Sequence, residues 1–247
     1  MVDEGSASVH CRLSEGMREI GRIKSQVAQT ARKTGRPMRE VDSLLFDLDG
    51  TLWSPLPLSL HCWNEACRVN SVSSENVTEE NLRLCFGRSS SFIRSTLVQS
   101  YSSSVQRKVC ETAFGLENQN IAYHTNLLYP LVKETLERLS VSYPLFIVSN
   151  CQPGYIEAFL ESYHLAHLFI DFRSSEENGL SKHQNIADLV RIYALDHPIY
   201  IGDTQLDAEA ASLAHVPFIY ATYGFGSVPE AGFAISNFSD LPKLLTQ

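Results

Sequence analysis

Two aspartates lie two positions apart in the segment Phe46-Asp-Leu-Asp-Gly-Thr51, directly after a short apolar run. In an extended chain, side chains two positions apart lie on the same side, so Asp47 and Asp49 would share one face. Two carboxylates this close repel each other unless a cation or a shared proton lies between them. The pair suits a divalent metal with divided roles, Asp47 as a nucleophile towards phosphorus and Asp49 as the acid for the leaving group. Taken alone, the segment also fits a turn with two solvated acids.

Three further segments carry candidate groups for such chemistry. Ser149 and Asn150 end an apolar run and precede a helical pattern, where a hydroxyl and backbone amides could hold a phosphoryl oxygen. Lys182 begins another helical pattern, and its ammonium would balance negative charge on a phosphorylated aspartate. Asp203 and Asp207 follow a later apolar run, and their hard carboxylate oxygens suit Mg²⁺. Each segment also has an ordinary interpretation, a helix cap for Ser149 and Asp203 and a surface position for Lys182.

Short apolar runs alternate with helical patterns from residue 43 onward, which predicts buried parallel strands joined by helices. Strands are predicted at 43–47, 144–149, 168–171, 198–202, 217–220 and 233–235, and helices near 130–140, 153–163, 184–194, 205–214 and 239–246. The alternation predicts an α/β fold with a doubly wound, Rossmann-like parallel sheet. In such a sheet, the candidate groups at the carboxyl ends of the strands would meet in one crevice.

The interval between Asp47 and Ser149 is too long for one crossover connection. It spans about 100 residues, whereas a strand-helix-strand unit needs only about 30. The surplus has helical patterns near 60–69, 78–85, 91–99 and 105–116, which predict a helical insertion over the sheet. We therefore predict a core at 41–54 and 127–247, an inserted cap domain at 55–126, and a partly helical N-terminal extension at 1–40.

In their order along the chain, these segments together resemble the haloacid dehalogenase superfamily of phosphohydrolases. The matching residues are Asp47-Leu-Asp-Gly-Thr51, Ser149, Lys182 and Gly202-Asp-Thr-Gln-Leu-Asp207, and the resemblance covers about residues 42–247. It implies that Asp47 is the nucleophile and a ligand of Mg²⁺. It also implies that Asp49 is the general acid and base and offers its backbone carbonyl to the metal.

The same resemblance implies roles for the remaining groups. Ser149, with Asn150 beside it, would bind the phosphoryl group, and Lys182 would steady both this group and Asp47. Asp203 would bind Mg²⁺, and Asp207 would orient Lys182 or a metal-bound water. The helical insertion matches the cap that controls substrate access in such enzymes. Within the cap, Arg88 is a candidate substrate ligand because a guanidinium suits a carboxylate or a second phosphate, although a surface arginine is the alternative.

The function predicted from this resemblance is a Mg²⁺-dependent phosphatase that hydrolyses a small phosphorylated metabolite through an aspartyl-phosphate. The run Thr222-Tyr-Gly-Phe-Gly226 is similar to phosphoglycolate phosphatase-like members, although a turn would also explain its glycines. Two alternatives remain open at this stage. One is a sugar-phosphate mutase of the same superfamily, and the other is a non-catalytic protein that binds a phosphorylated ligand.

Composition limits the partners and the compartment. The chain has 20 Lys and Arg against 28 Asp and Glu, a net charge of −8, which argues against nucleic acid as a partner. No apolar stretch is long enough for a signal peptide or a membrane span, which predicts no membrane partner. The six cysteines lack the spacing of a zinc site, and we expect ordinary thiols and a cytoplasmic location. The sequence does not indicate an oligomeric state.

Overall fold

One parallel sheet forms the centre of the molecule. The computed structural model describes residues 41–246, and the predicted extension at 1–40 lies outside the described residues. The strands are β1 (Ser43–Phe46), β2 (Leu145–Ser149), β3 (Phe169–Ser174), β4 (Pro198–Gly202), β5 (Phe218–Ala221) and β6 (Ala234–Ile235). They pair in parallel in the order β3-β2-β1-β4-β5-β6. The predicted doubly wound α/β fold is therefore confirmed.

Helices flank the sheet and fill the long interval after β1. They are α1 (Leu56–Val69), α2 (Glu79–Cys85), α3 (Ser90–Leu97), α4 (Ser103–Asn120), α5 (Val132–Ser140), α6 (Tyr155–Ser162), α7 (Ser175–Asn178), α8 (Lys182–Tyr193), α9 (Gln205–Leu213) and α10 (Leu241–Leu244). In the described part of the chain, none of these helices has the length and apolar character needed to cross a membrane.

Helices cover both faces of the sheet. Alternate residues of each strand point to opposite faces, so each strand contributes to the packing on both sides. Leu44 and Phe46 of β1 belong to an apolar cluster with α5, α6 and α10. Leu45, between them, belongs to a second cluster with α8 and α9. Burial on both sides explains why the strands read as continuous apolar runs. The central strand β1 thus holds its carboxyl end, and the acids that follow it, in a fixed position.

The helices α1 to α4 form the inserted helical layer and have an apolar cluster of their own. Trp63 of α1 and Ala113 of α4 are members of this cluster. Helix α1 begins at Leu56 instead of near residue 60, because Pro57 lies in its first turn, where a proline is favoured. An inserted helical cap is consistent with these helices, and the proposed domain boundaries remain a prediction.

Candidate active site

The predicted site residues meet at the carboxyl edge of the sheet. Asp47 follows β1, Ser149 is the last residue of β2, and Asp203 follows β4. Lys182 is the first residue of α8 and reaches the same edge. The exposed fraction is 1 % for Asp47, 3 % for Ser149, 0 % for Asp203 and 5 % for Lys182. Ionisable side chains are seldom this buried without partners, so their contacts define the chemistry of the site.

The ammonium of Lys182 lies between two carboxylates. Its Nζ donates to Asp47 Oδ1 at 2.8 Å and to Asp207 Oδ1 at 2.6 Å. Burial alone would lower the pKa of Lys182, but the Asp207 and Asp47 carboxylates raise it well above the ordinary value. Burial raises the pKa of Asp47 to about 6, although Lys182 acts in the opposite direction. The ammonium therefore stays charged and holds an oxygen of Asp47 in place.

The start of α8 fixes the position of Lys182. Ser181 and Gln184 form a capping box, in which the Gln184 side chain accepts from the Ser181 backbone N–H at 2.9 Å. This cap satisfies backbone donors that the first turn leaves unpaired. The helix begins at Lys182, where the sequence indicates the start of a helical pattern, two positions before the predicted range of 184–194.

Asp207 is held by its own helix cap as well as by Lys182. Thr204 donates to Asp207 Oδ2 through its backbone N–H at 3.0 Å and its hydroxyl at 2.6 Å. Thr204 is the N-cap of α9, so the alternative interpretation of Asp203 as the helix cap is wrong. Asp203 is thereby left available for another role.

Asp203 lies in a narrow space walled by glycines. The Phe225 backbone N–H donates to Asp203 Oδ2 at 2.6 Å. A Cβ on Gly50 would lie 2.1 Å from Asp203 Oδ2, and one on Gly224 would lie 2.3 Å from the same atom. Gly50 also has a φ of +84°, which a side chain would disfavour. The second oxygen of Asp203, Oδ1, is buried and has no hydrogen-bond partner among the described residues.

These acids form a cluster suited to a cation. Asp47, Asp203 and Asp207 can each offer an oxygen such that the three oxygens lie within 4.8 Å of one another. Burial, followed by the Asp207 and Asp47 charges, raises the pKa of Asp203 well above its ordinary value. A divalent cation would relieve this repulsion and satisfy the unpartnered Oδ1.

Asp49 lies beside the cluster and has different partners. The Trp53 indole N–H donates to Asp49 Oδ1 at 2.8 Å, and the Tyr155 hydroxyl donates to the same oxygen at 3.3 Å. Burial and then the Asp47 charge raise the pKa of Asp49 to about 8. The Asp49 carboxylate is not a member of the acidic cluster. The implied contact of its backbone carbonyl with Mg²⁺ stays a prediction.

A cavity lies between the edge of the sheet and the cap helices. Its lining includes Asp47, Asp49, Ser149, Asn150 and Arg88. The Asn150 side chain donates to the backbone carbonyl of Gly87 at 2.9 Å and so bridges the core and the cap. Arg88 is exposed, with its guanidinium 5.0 Å from the centre of the Phe92 ring.

Sequence reasoning missed several residues of the site. Tyr155 and Trp53 donate to Asp49, and the loop containing Phe225 holds Asp203. The glycines around Phe225 were a visible signal, because they indicate a close approach of backbone. Glu117 also lines the cavity. The spacing of the sequence could have indicated its burial, because Cys110, Ala113 and Glu117 follow one another at intervals of three and four residues on one face of α4.

Comparison with known proteins agrees with this fold. The family model for haloacid dehalogenase-like hydrolases matches residues 44–221. A phosphoglycolate phosphatase of Aliivibrio fischeri is 27% identical over 197 residues, which cover 75% of this chain and 86% of the relative. One from Vibrio vulnificus is 25% identical over 219 residues, which cover 82% and 95%. A solved structure of a predicted phosphoglycolate phosphatase from Haemophilus somnus has a TM-score of 0.74 at 22% identity, covering 86% of this chain and all of the other.

The parallel sheet with inserted helices is the fold of these hydrolases, and the comparisons define the class of protein. The chain belongs to the haloacid dehalogenase-like hydrolase family, because the family model covers well over half of its length. The curated relatives are phosphatases, and the prediction of a phosphoric monoester hydrolase is confirmed at the level of enzyme class.

Proposed function

We propose that this protein hydrolyses the phosphate monoester of a small metabolite through a phosphorylated Asp47, with Mg²⁺ bound at the acidic cluster. The observation that carries the proposal is the position of the Asp47 carboxylate. It lies at the end of the central strand, contacts Lys182 at 2.8 Å and lines a cavity shared with Asp49. A nucleophile, a charge partner and a candidate acid therefore surround one space.

In the first step, an oxygen of Asp47 attacks phosphorus, and the bond from phosphorus to the alcohol oxygen breaks. Asp49 donates its proton to that departing oxygen. In the second step, Asp49 takes a proton from a water molecule that attacks the phosphorylated Asp47. Inorganic phosphate leaves and the carboxylate is regenerated. Trp53 and Tyr155 both contact the same oxygen of Asp49, which supports a fixed orientation for its carboxyl group.

The residues present fit a magnesium ion. Asp47 and Asp203 would hold it, and the unpartnered, buried Oδ1 of Asp203 supports this assignment. Asp207 would mainly orient Lys182, since its two oxygens accept from Lys182 and Thr204. When bound, Mg²⁺ supplies positive charge that stabilises the phosphoryl oxygens during transfer. Carboxylate oxygens alone, without sulfur or imidazole, suit a hard cation such as Mg²⁺ better than zinc or copper.

The phosphoryl group would be bound by Ser149 and Lys182 from two sides. Ser149 is 3 % exposed and lines the cavity at the end of β2. Asn150 contacts the cap carbonyl of Gly87, so its support of the substrate would depend on the cap position. A small phosphorylated metabolite as substrate and a cytoplasmic location are part of this proposal. The relatives named phosphoglycolate phosphatases make phosphoglycolate one substrate to test.

The test is phosphate release from a panel of small phosphate esters and an aryl phosphate, with Mg²⁺, with a chelator, and with Mg²⁺ restored. We expect release that depends on Mg²⁺ and returns when the metal is added back. Conversion of a sugar phosphate to its isomer without free phosphate would instead support the mutase. No turnover of any ester at any metal concentration would overturn the enzymatic proposal and favour a binding protein.

A further inference from the structure

A third acid, Glu117, lines the cavity from the side of the cap. Glu117 lies on α4 and is 5 % exposed. It lines the same cavity as Asp47 and Asp49, but it contributes neither to the acidic cluster nor to the proposed steps. In the proposed reaction, the leaving alcohol would lie in this cavity, within reach of the groups that line it.

The neighbours of Glu117 donate hydrogen bonds to its carboxyl group. The Gln152 amide donates to Glu117 Oε2 at 3.0 Å, and the same amide donates to Asn118 Oδ1 at 3.2 Å, which fixes its orientation. Trp63 also hydrogen bonds to the carboxyl, and an indole N–H can only donate. Ser59 is a third partner. Burial raises the pKa of Glu117 to about 7, and these hydrogen bonds act in the opposite direction, so the carboxylate form is present above that pH.

No basic side chain neutralises this acid within residues 41–246. The ion pairs of the described chain involve other acids. The basic residue in the cavity lining is Arg88, which is exposed and lies against Phe92. A buried charge acts more strongly on a bound ligand than an exposed one, because water screens the exposed charge. An ionised Glu117 therefore adds negative charge to the cap side of the cavity, with no basic partner of its own among the described residues.

We propose that Glu117 is a specificity-determining residue that accepts a hydrogen bond from a hydroxyl or ammonium group of the leaving alcohol and disfavours a leaving group that carries a carboxylate. The inference rests on the proposed phosphatase function and adds the class of substrate. A hydroxyl or ammonium satisfies the carboxylate, whereas a substrate carboxylate beside it adds a second, like charge in a poorly solvated space. The favoured substrates are thus phosphorylated polyols or amino alcohols, and not phosphorylated hydroxy acids.

Three phosphate esters of nearly equal size test this selection: 2-aminoethyl phosphate, 2-hydroxyethyl phosphate and 2-phosphoglycolate. They differ in the group at the far end of a two-carbon alcohol. For the wild type and for each variant, kcat/KM for the aminoethyl and the hydroxyethyl ester is divided by kcat/KM for phosphoglycolate. The assays are made at mildly alkaline pH, where the Glu117 carboxyl group is ionised. The ratio is internal to one preparation, so a partly unfolded variant does not distort it. We expect the wild-type ratios to exceed one, with roughly a tenfold or larger preference for the ammonium ester.

The variant Glu117→Gln keeps the size of the side chain and removes its charge. We expect it to reduce the ammonium-to-carboxylate ratio by roughly tenfold, mainly through KM. The control Glu111→Gln changes an exposed acid on the same helix and should leave the ratio unaltered. A wild-type preference for phosphoglycolate would overturn the inference, and its loss in Arg88→Gln would assign selection to Arg88 instead; a ratio unchanged by Glu117→Gln would also overturn it. Either result requires turnover, so it is distinct from failure of the phosphatase proposal, in which wild-type protein releases no phosphate from any ester.

Discussion

Phe225 contacts Asp203 through its backbone and the cap through its side chain. Its N–H donates to Asp203 Oδ2 at 2.6 Å, and its ring stacks on Phe86 with the ring centres 4.3 Å apart. Phe86 directly follows α2 of the cap. One loop residue therefore connects a candidate metal ligand to the helices that cover the cavity. A change in this loop should affect metal binding and cap position together.

Gly224→Ala tests the close packing of this loop. The added Cβ would lie 2.3 Å from Asp203 Oδ2, so either the loop or the carboxylate must move. We expect the Mg²⁺ concentration for half-maximal activity to rise by about tenfold or more, because a displaced ligand binds metal less well. Metal titration of phosphate release measures it. The control Gly232→Ala adds a Cβ with no heavy atom within 4 Å, and its titration should match the wild type. Equal titrations for both variants would contradict the role of the loop.

Asp47→Asn tests the nucleophile. The amide cannot form the covalent intermediate, so we expect kcat to fall by about 10³-fold or more on every ester. Acid quenching with labelled substrate should trap phosphoprotein from the wild type and none from the variant. Circular dichroism checks that the variant is folded. Activity within tenfold of the wild type would refute the assignment of Asp47.

Asp49→Asn separates the acid role from the nucleophile role. An aryl phosphate has a good leaving group that needs little protonation, whereas an alkyl phosphate depends on the acid. We therefore expect phosphoprotein formation to fall by about 10²-fold or more with an alkyl ester and much less with an aryl ester. Single-turnover rates of both esters measure the difference. Equal losses on the two esters would indicate that Asp49 does not protonate the leaving group.

Lys182→Met tests the buried ion-pair network. Its removal leaves the Asp47 and Asp207 carboxylates without the ammonium that each contacts. We expect the free energy of unfolding, measured by urea denaturation in the presence of chelator, to decrease by about 3–5 kcal/mol. The exposed Lys108→Met is the matched control and should change it by less than about 0.5 kcal/mol. Similar values for the two variants would show that the network adds no stability.

The raised pKa of Glu117 predicts how the stability of the protein changes with pH. Burial raises its pKa from 4.5 to about 7, despite the hydrogen bonds that oppose the shift. The folded protein therefore binds more protons than the unfolded chain between these values, and this contribution to stability is lost as the pH rises through about 7. Its size is about 3 kcal/mol. As the pH rises from 4.5 to above 7, the free energy of unfolding of the wild type should therefore decrease relative to that of Glu117→Gln. A pH-independent difference would mean that Glu117 titrates normally in the fold.

The meeting of the candidate residues at one edge of the sheet could be predicted from the sequence because local rules determine it. Asp47, Ser149 and Asp203 follow apolar runs, and the carboxyl ends of parallel strands share one edge. Lys182 followed from the family pattern, and the structure places it between two of the acids. These inferences needed the type of each element but not its exact ends.

The contacts between the core and the cap could not be predicted in the same way. Phe225 lies 22 positions from Asp203, and no local pattern relates the two residues. The position of Glu117 in the cavity depends on how α4 packs against α1 and α6, which is a property of tertiary structure. Helix α7 was also missed, because a four-residue helix has no usable apolar period.

The space around Asp203 has a consequence for how a cation is captured. With backbone on two sides, at Gly50 and Gly224, the side chain has few rotamers open to it even before an ion arrives. Little conformational entropy is then lost on coordination, and a glutamate, one methylene longer, would not fit between the same walls. The glycines thus make the ligand preorganised, and they restrict it to the shorter of the two acidic side chains.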